Sequence, residues 1–314
     1  MRSISLTNTV VTIENKEISI SHPERILWPD AGVTKFQYIQ YLMEIAPFML
    51  PYTTDRMLMI WRYPEGITGR RVEERSIHGT APEWLPRVIY GGKERILLND
   101  RAALVWVANR RGCELHVPFD KHYRKEYPTE LVFDLDPAED MDFGVVLQVA
   151  LKLHEVLSSL SLHSFPKTSG ATGLQIFVPV EPKYTFEQAR QINEFIAKYM
   201  LQQLPDIITL ERVVERRGSK LYFDYLQLWR GRTMAAPYSV RAKPQATVSA
   251  PVTWEEAARG FVPADFTIAN MTDRIGRVGD LFRFVSSEEV RLNQQLDKVL
   301  DFIQKNPTSS VNRI

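Results

Sequence analysis

Glu130-Leu-Val-Phe-Asp-Leu-Asp136 reads as an apolar strand ending on two acids one residue apart, stopped by Pro137. From about Asp142 to Leu160 the period changes: Val146, Val149, Ala150, Leu153, Val156, Leu157 and Leu160 fall on one helical face. A Gly-containing turn, Lys167-Thr-Ser-Gly-Ala-Thr-Gly173, leads into a second strand, Leu174 to Val180. Thr185 and Gln188 then spell a capping box for a helix reaching about Leu204. A further strand, Lys220 to Leu226, carries Asp224. Strands alternating with helices, then more strands, indicate an α/β or α+β domain rather than an all-β one.

Working outward, residues 10–20 alternate as a strand or hairpin, and His22-Pro23 opens a turn. Phe36, Tyr38, Ile39, Leu42, Ile45 and Ala46 have helical spacing behind Thr34 as N-cap. Met57 to Trp61 reads as a strand ended by Tyr63-Pro64-Glu65-Gly66, and Arg101 to Asn109 as a short apolar helix. Beyond Arg232 the chain is rich in Pro, Ala and Ser to about Val252. A final helix is expected over Ser287 to Gln304, with the last ten residues frayed. With no repeat and no low-complexity linker, one domain over 1–314 is expected; two lobes, about 1–125 and 126–300, are the alternative division.

The 314 residues suffice for a sizeable core, and 39 Lys+Arg against 38 Asp+Glu give a formal charge of only +1. A nucleic-acid partner would therefore be met by a local basic surface. Cys113 is the only cysteine, which excludes an internal disulfide and a multi-cysteine zinc site. The N-terminus lacks a signal-peptide pattern, and no apolar run has the roughly 18–20 residues of a membrane helix. A soluble cytoplasmic protein without a membrane partner is expected.

Alternation in a strand puts Asp134 and Asp136 on one face, their Cα atoms about 6–7 Å apart. Such carboxylates repel unless a cation lies between them, and oxygen ligands suit Mg²⁺ or Mn²⁺. A solvated strand end before a proline turn is the plainer reading, and glycosyltransferases also use an Asp-x-Asp. Asp224 adds a third acid in an otherwise apolar and aromatic strand, where burial without a partner would cost several kcal/mol. Thr168, Ser169 and Thr172 with two glycines could cradle a triphosphate, although taken alone this is an ordinary β-turn. Arg230, Arg232, Arg241 and Lys243 gather around Pro237, Tyr238 and Val240, cations of the kind phosphate contacts need. His116, in Cys113-Glu-Leu-His-Val-Pro, is a lone histidine of the kind that is more often structural.

In this order the pieces resemble the primase–polymerase domain of bacterial ligase D, the end-joining member of the archaeo-eukaryotic primase superfamily. The resemblance runs from about Ser21 to Phe284. It is carried by Phe133-Asp-Leu-Asp-Pro137, Lys167-Thr-Ser-Gly170, Asp224-Tyr-Leu-Gln227, and Arg230-Gly-Arg-Thr with Ala236-Pro-Tyr-Ser-Val-Arg241, continuing to Pro251-Val-Thr-Trp254. It implies an α+β fold with mixed and antiparallel sheets flanked by helices around an RRM-like catalytic core. The implied activity is a DNA polymerase of primase type, filling gaps and extending 3′ ends at double-strand breaks from NTP or dNTP in non-homologous end joining. A DNA-end-bridging module with residual polymerisation is the alternative.

The resemblance also assigns residues. Asp134, Asp136 and Asp224 match the metal triad for Mn²⁺ or Mg²⁺. Ser169, His116 and Arg241 match nucleotide contacts, and Gln227 follows the third aspartate. Arg25 and Lys35 match holders of a 5′-phosphate, and Arg62 a basic residue near DNA. Two triphosphate-contact positions depart from the family pattern: Thr172 stands for a basic residue and Gln175 for a histidine, each lost charge-assisted bond being worth about 1.5–3 kcal/mol. Around Arg71, Val72 and Glu73 an expected template-stacking aromatic pair is missing. No Lys-x-Asp-Gly ligase motif and no phosphoesterase-like segment is present, so Ku and a separate DNA ligase are expected partners.

Overall fold

A computed structural model of the protein describes residues 8–287 and 296–306. Two compact units share the chain. One takes it up to Pro118 together with Thr233–Ala250 and Ala264–Asp280; the other takes Phe119–Arg232, Pro251–Pro263 and the chain from Leu281.

The first unit holds a four-stranded antiparallel sheet, in the order Thr233–Ala235, Gly112–Pro118, Met59–Arg62, Val72–Glu74. The expected hairpin is present as Asn8–Ile13 against Lys16–Ser21. Thr34 caps the helix Lys35–Thr53 through a full capping box with Gln37. This helix runs on through Pro47 and Pro51, past the Ala46 where the sequence pattern ends. An interior proline costs about 3 kcal/mol, and burial of Met49 and Tyr52 beyond Pro47 offsets it. Tyr38 ties the helix to the sheet by donating to the carbonyls of Gly112 and Cys113. The short helix Arg101–Asn109 has the expected bounds, capped by Asp100.

The second unit is built on a five-stranded mixed sheet: Phe165–Thr168, Leu174–Pro179, Glu130–Asp136, Leu221–Asp224, Ile208–Thr209. Its first four strands are antiparallel and the last pair is parallel. Phe143–Ser159 and Phe186–Gln203 are the predicted helices, capped by Asp142 and by the Thr185–Gln188 box. Buried Phe133 and Phe223 meet across adjacent strands with ring centroids 5.7 Å apart, each burial worth about 1.5–3 kcal/mol. Of the expected last helix, Leu296–Lys305 is observed; residues 288–295 and 307–314, the latter within the end expected to fray, lie outside the described residues. No described helix is long and apolar enough to cross a membrane.

Candidate active site

The acids converge at the middle of the second unit's sheet. Asp134 stands directly opposite Asp224, and Asp136 opposite Tyr222. Alternation turns Phe133 and Leu135 into the core and the two aspartates to the other face, as their spacing dictates. Asp224 ends its strand earlier than the sequence suggests: the chain turns at Tyr225, and the Leu226 amide and Tyr222 hydroxyl both donate to Asp224 Oδ1, at 2.9 and 3.1 Å.

Asp134 and Asp136 are poorly compensated. Burial first, then the charges of Asp136 and Asp224, push Asp134 well above the ordinary carboxylate range, against a Gln175 hydrogen bond and the Lys167 charge. Burial and Asp224 push Asp136 up to about 6, with Arg217 opposing. Asp134 Oδ1 is shielded from solvent and has no hydrogen-bond partner. Among the described residues no three His, Cys, Asp or Glu side chains are grouped closely enough to hold a metal ion by themselves. An orphaned carboxylate oxygen in a cluster of mutually repelling acids nevertheless fits a hard divalent cation, which would neutralise the charge and take that oxygen as a ligand.

Beside the acids lies the hairpin joining Phe165–Thr168 to Leu174–Pro179. Lys167 and Thr168, assigned to the turn from sequence, belong to the first strand. Ser169 Oγ accepts from the amides of Ala171 and Gly173, at 3.1 and 3.0 Å, which closes the turn. Thr172 is exposed at its tip, whereas Gln175 is buried in the strand opposite Asp134. Gly173 is needed for close approach: a Cβ there would lie 2.4 Å from the Leu135 carbonyl oxygen. Gly173→Ala is therefore expected to cost about 1–3 kcal/mol by forcing the strands apart. A urea titration reads this directly, and unchanged stability would mean that the strands yield without cost.

Gln227 is half-buried in the same unit and accepts from Arg232, at 3.3 Å. Arg230 pairs with Glu126. Of the four cations between Arg230 and Lys243, Arg230 and Arg232 belong to the second unit and Arg241 and Lys243 to the first.

In the first unit His116 and Arg241 meet on a residue the sequence reading missed, Glu114. Glu114 Oε2 contacts His116 Nε2 at 3.1 Å and accepts from Arg241 Nε at 2.9 Å, while Oε1 accepts from the Ala242 amide. Burial alone would raise this acid; the His116 hydrogen bond, the Arg241 charge and the Ala242 amide outweigh it and hold it at about 2. The alternation Cys-Glu-Leu-His in a buried strand is the signal that could have revealed it. Trp61 lies against His116 with ring centroids 4.7 Å apart and planes tilted by 32°, and the Arg71 guanidinium lies 4.1 Å from the Trp61 ring. Arg71, in the segment where the family's aromatic pair is missing, thus covers an aromatic from the neighbouring strand.

Arg25 and Lys35 are brought together. Lys35 is buried and donates to Ser21 Oγ and Asn109 Oδ1. Burial and then Arg111 lower its pKa to about 8, Arg25 adding to the effect against Glu24. Arg111, a cation the sequence reading also missed, is lowered by its own burial and by the charges of Arg25 and Arg62. Arg62 is bound to buried Glu74 and to the Arg110 carbonyl.

Three acids on two central strands of an α+β sheet, beside a serine-closed hairpin, define a nucleotidyltransferase of the primase–polymerase class. Residues 34–282 match the family described as LigD, primase-polymerase domain. The chain belongs to that family, a family of DNA-directed nucleotidyltransferases. It is 35% identical over 257 residues to the bifunctional non-homologous end joining protein LigD of Bacillus subtilis, covering 82% of this chain and 42% of that protein. Against the multifunctional non-homologous end joining protein LigD of Mycolicibacterium smegmatis the identity is 29% over 272 residues, covering 85% and 36%. The chain thus spans about two fifths of these relatives. The polymerase domain of Mycobacterium tuberculosis ligase D, solved in complex with DNA, superposes with a TM-score of 0.79 at 27% identity, covering 86% of this chain and 98% of that one.

Proposed function

We propose that this chain adds nucleotides to 3′ ends at gaps and double-strand breaks, from NTP or dNTP, as the polymerase of a non-homologous end-joining system. The observation that carries the reading is the Asp134–Asp224 cross-strand pair with Asp136 one step away on the same face. Asp134, Asp136 and Asp224 would hold Mn²⁺ or Mg²⁺. When bound, such ions supply charge that stabilises the attacking and leaving oxygens of an in-line displacement. Ser169 orders the hairpin amides, which with Thr172 and Gln227 would contact the triphosphate. His116 and Arg241, fixed by Glu114, would contact the incoming nucleotide. Arg25 and Lys35 would hold a 5′-phosphate, and Arg62 would lie close to DNA. Ku and a separate DNA ligase would complete the repair, in the cytoplasm where a bacterial genome is found.

Primer extension on gapped duplex DNA with Mn²⁺ tests this. Extension is expected, its loss in EDTA, and its return when Mn²⁺ is restored. Background extension by protein that still binds the DNA ends would replace the reading by an end-bridging role.

A further inference from the structure

Four polar residues stand in one row across the second unit's sheet. Lys167 is opposite Gln175, Gln175 opposite Asp134, and Asp134 opposite Asp224. Directly opposed residues on antiparallel strands share a face, so the row projects to one side. Lys167 is fully buried and Gln175 nearly so, at 0% and 5% exposure, and the lysine ammonium also lies over the Phe177 ring.

A buried ammonium needs acceptors. Lys167 Nζ donates to Gln175 Oε1. This bond decides the orientation of the amide, because an ammonium has only donors and must face the oxygen end. The amide nitrogen is then the end turned from the ammonium towards Asp134, which stands directly opposite on the neighbouring strand, and a Gln175 hydrogen bond lowers the pKa of that carboxyl against its burial. Asp134 Oδ1 has no hydrogen-bond partner, which leaves Oδ2 as the oxygen to accept from the amide.

We propose that Lys167 and Gln175 are positioning residues of the metal centre: the ammonium fixes the amide, the amide holds Asp134 Oδ2, and Oδ1 is left to face the cation. The proposal rests on reading the three aspartates as metal ligands. It gives Gln175 a task different from the triphosphate contact suggested by its place in the motif. Partners that orient a metal ligand from behind typically change affinity 10–100-fold when removed. Without the amide, the carboxylate is free to turn, and the ammonium is left to compete for it.

Mn²⁺ binding to the full chain, followed by electron paramagnetic resonance without nucleotide or DNA, separates this from a merely structural role. Gln175→Leu and Lys167→Met are each expected to weaken Mn²⁺ binding by about tenfold or more. The double variant should be no weaker than the weaker single one, because Lys167 acts through Gln175. Gln175→His, whose ring accepts at one nitrogen and donates from the other, should restore most of the affinity. Circular dichroism checks that each variant folds. Wild-type affinity in folded Gln175→Leu or Lys167→Met, or losses that multiply in the double variant, would overturn the proposal. Should Gln175→Leu fail to fold, Lys167→Met decides alone: wild-type affinity in it overturns the proposal. Wild-type protein binding Mn²⁺ no better than Asp134→Ala would instead defeat the metal-site reading itself.

Discussion

Asp136→Asn is expected to lower primer extension by roughly a thousandfold or more while raising the melting temperature of the metal-free protein. The first effect is what the proposed site requires: Asp136 would be a ligand to ions whose charge stabilisation is worth several kcal/mol, each 1.36 kcal/mol being a factor of ten. The second follows from the electrostatics of the cluster. Burial, and then Asp224, push Asp136 up to about 6. For an acid whose folded pKa lies above its unfolded value, the stabilisation is present below the unfolded value, near 3.8, and lost as pH rises through about 6. At pH 8 in EDTA the wild type therefore carries a strained charge that asparagine removes, a difference on the order of 2–3 kcal/mol. The gap between variant and wild type should close as the pH is lowered from 8 towards 4. Thermal melts in EDTA across that range, alongside extension assays in Mn²⁺, read both halves. A variant that melts lower than wild type at pH 8, or still extends primers, would contradict the account.

Glu114→Gln acts on the other unit and in the opposite direction on stability. Its carboxylate accepts from Arg241, His116 and the Ala242 amide while nearly inaccessible to water. Removing one partner of a buried ion pair typically costs about 3–5 kcal/mol, so a large fall in the urea midpoint is expected. Since its pKa is held at about 2, Glu114 contributes stability that is present above the ordinary 4.5 and lost as pH falls from there through about 2. The variant should lack that part of the acid-induced loss. His116 and Arg241 would also lose their common anchor, and nucleotide affinity is expected to fall about tenfold, the worth of one charge-assisted bond. Wild-type stability in Glu114→Gln would show that neutral hydrogen bonding suffices there.

What the sequence disclosed and what it hid divide along a physical line. Glu130–Asp136 and Arg101–Asn109 have the bounds read from their residues, and the Thr34 and Thr185 caps are where the motifs put them. Periodicity and capping are local, so they survive in a bare string of residues. Local spacing also placed Asp134 and Asp136 on one face. It could not place Asp224 opposite Asp134, because register between distant strands is set by the whole sheet. Lys167 reads as part of the turn because a four-residue strand with a proline at its second position, Phe165-Pro-Lys-Thr168, carries little strand signal. Glu114 in the bare sequence is one acid among many; only the fold reveals that His116, Arg241 and Ala242 all converge on it.

The alternation of the chain between its two units bears on inheritance. Each unit is assembled from three separated stretches, so neither can be copied out as one uninterrupted piece of a gene. A cut at Pro118 would strip the first unit of the Thr233–Ala235 edge strand and of Ser239, whose hydroxyl accepts from the Leu115 amide. Recombination that shuffles domains should therefore carry both units together or neither, and a working fusion should join the chain at its ends rather than within it.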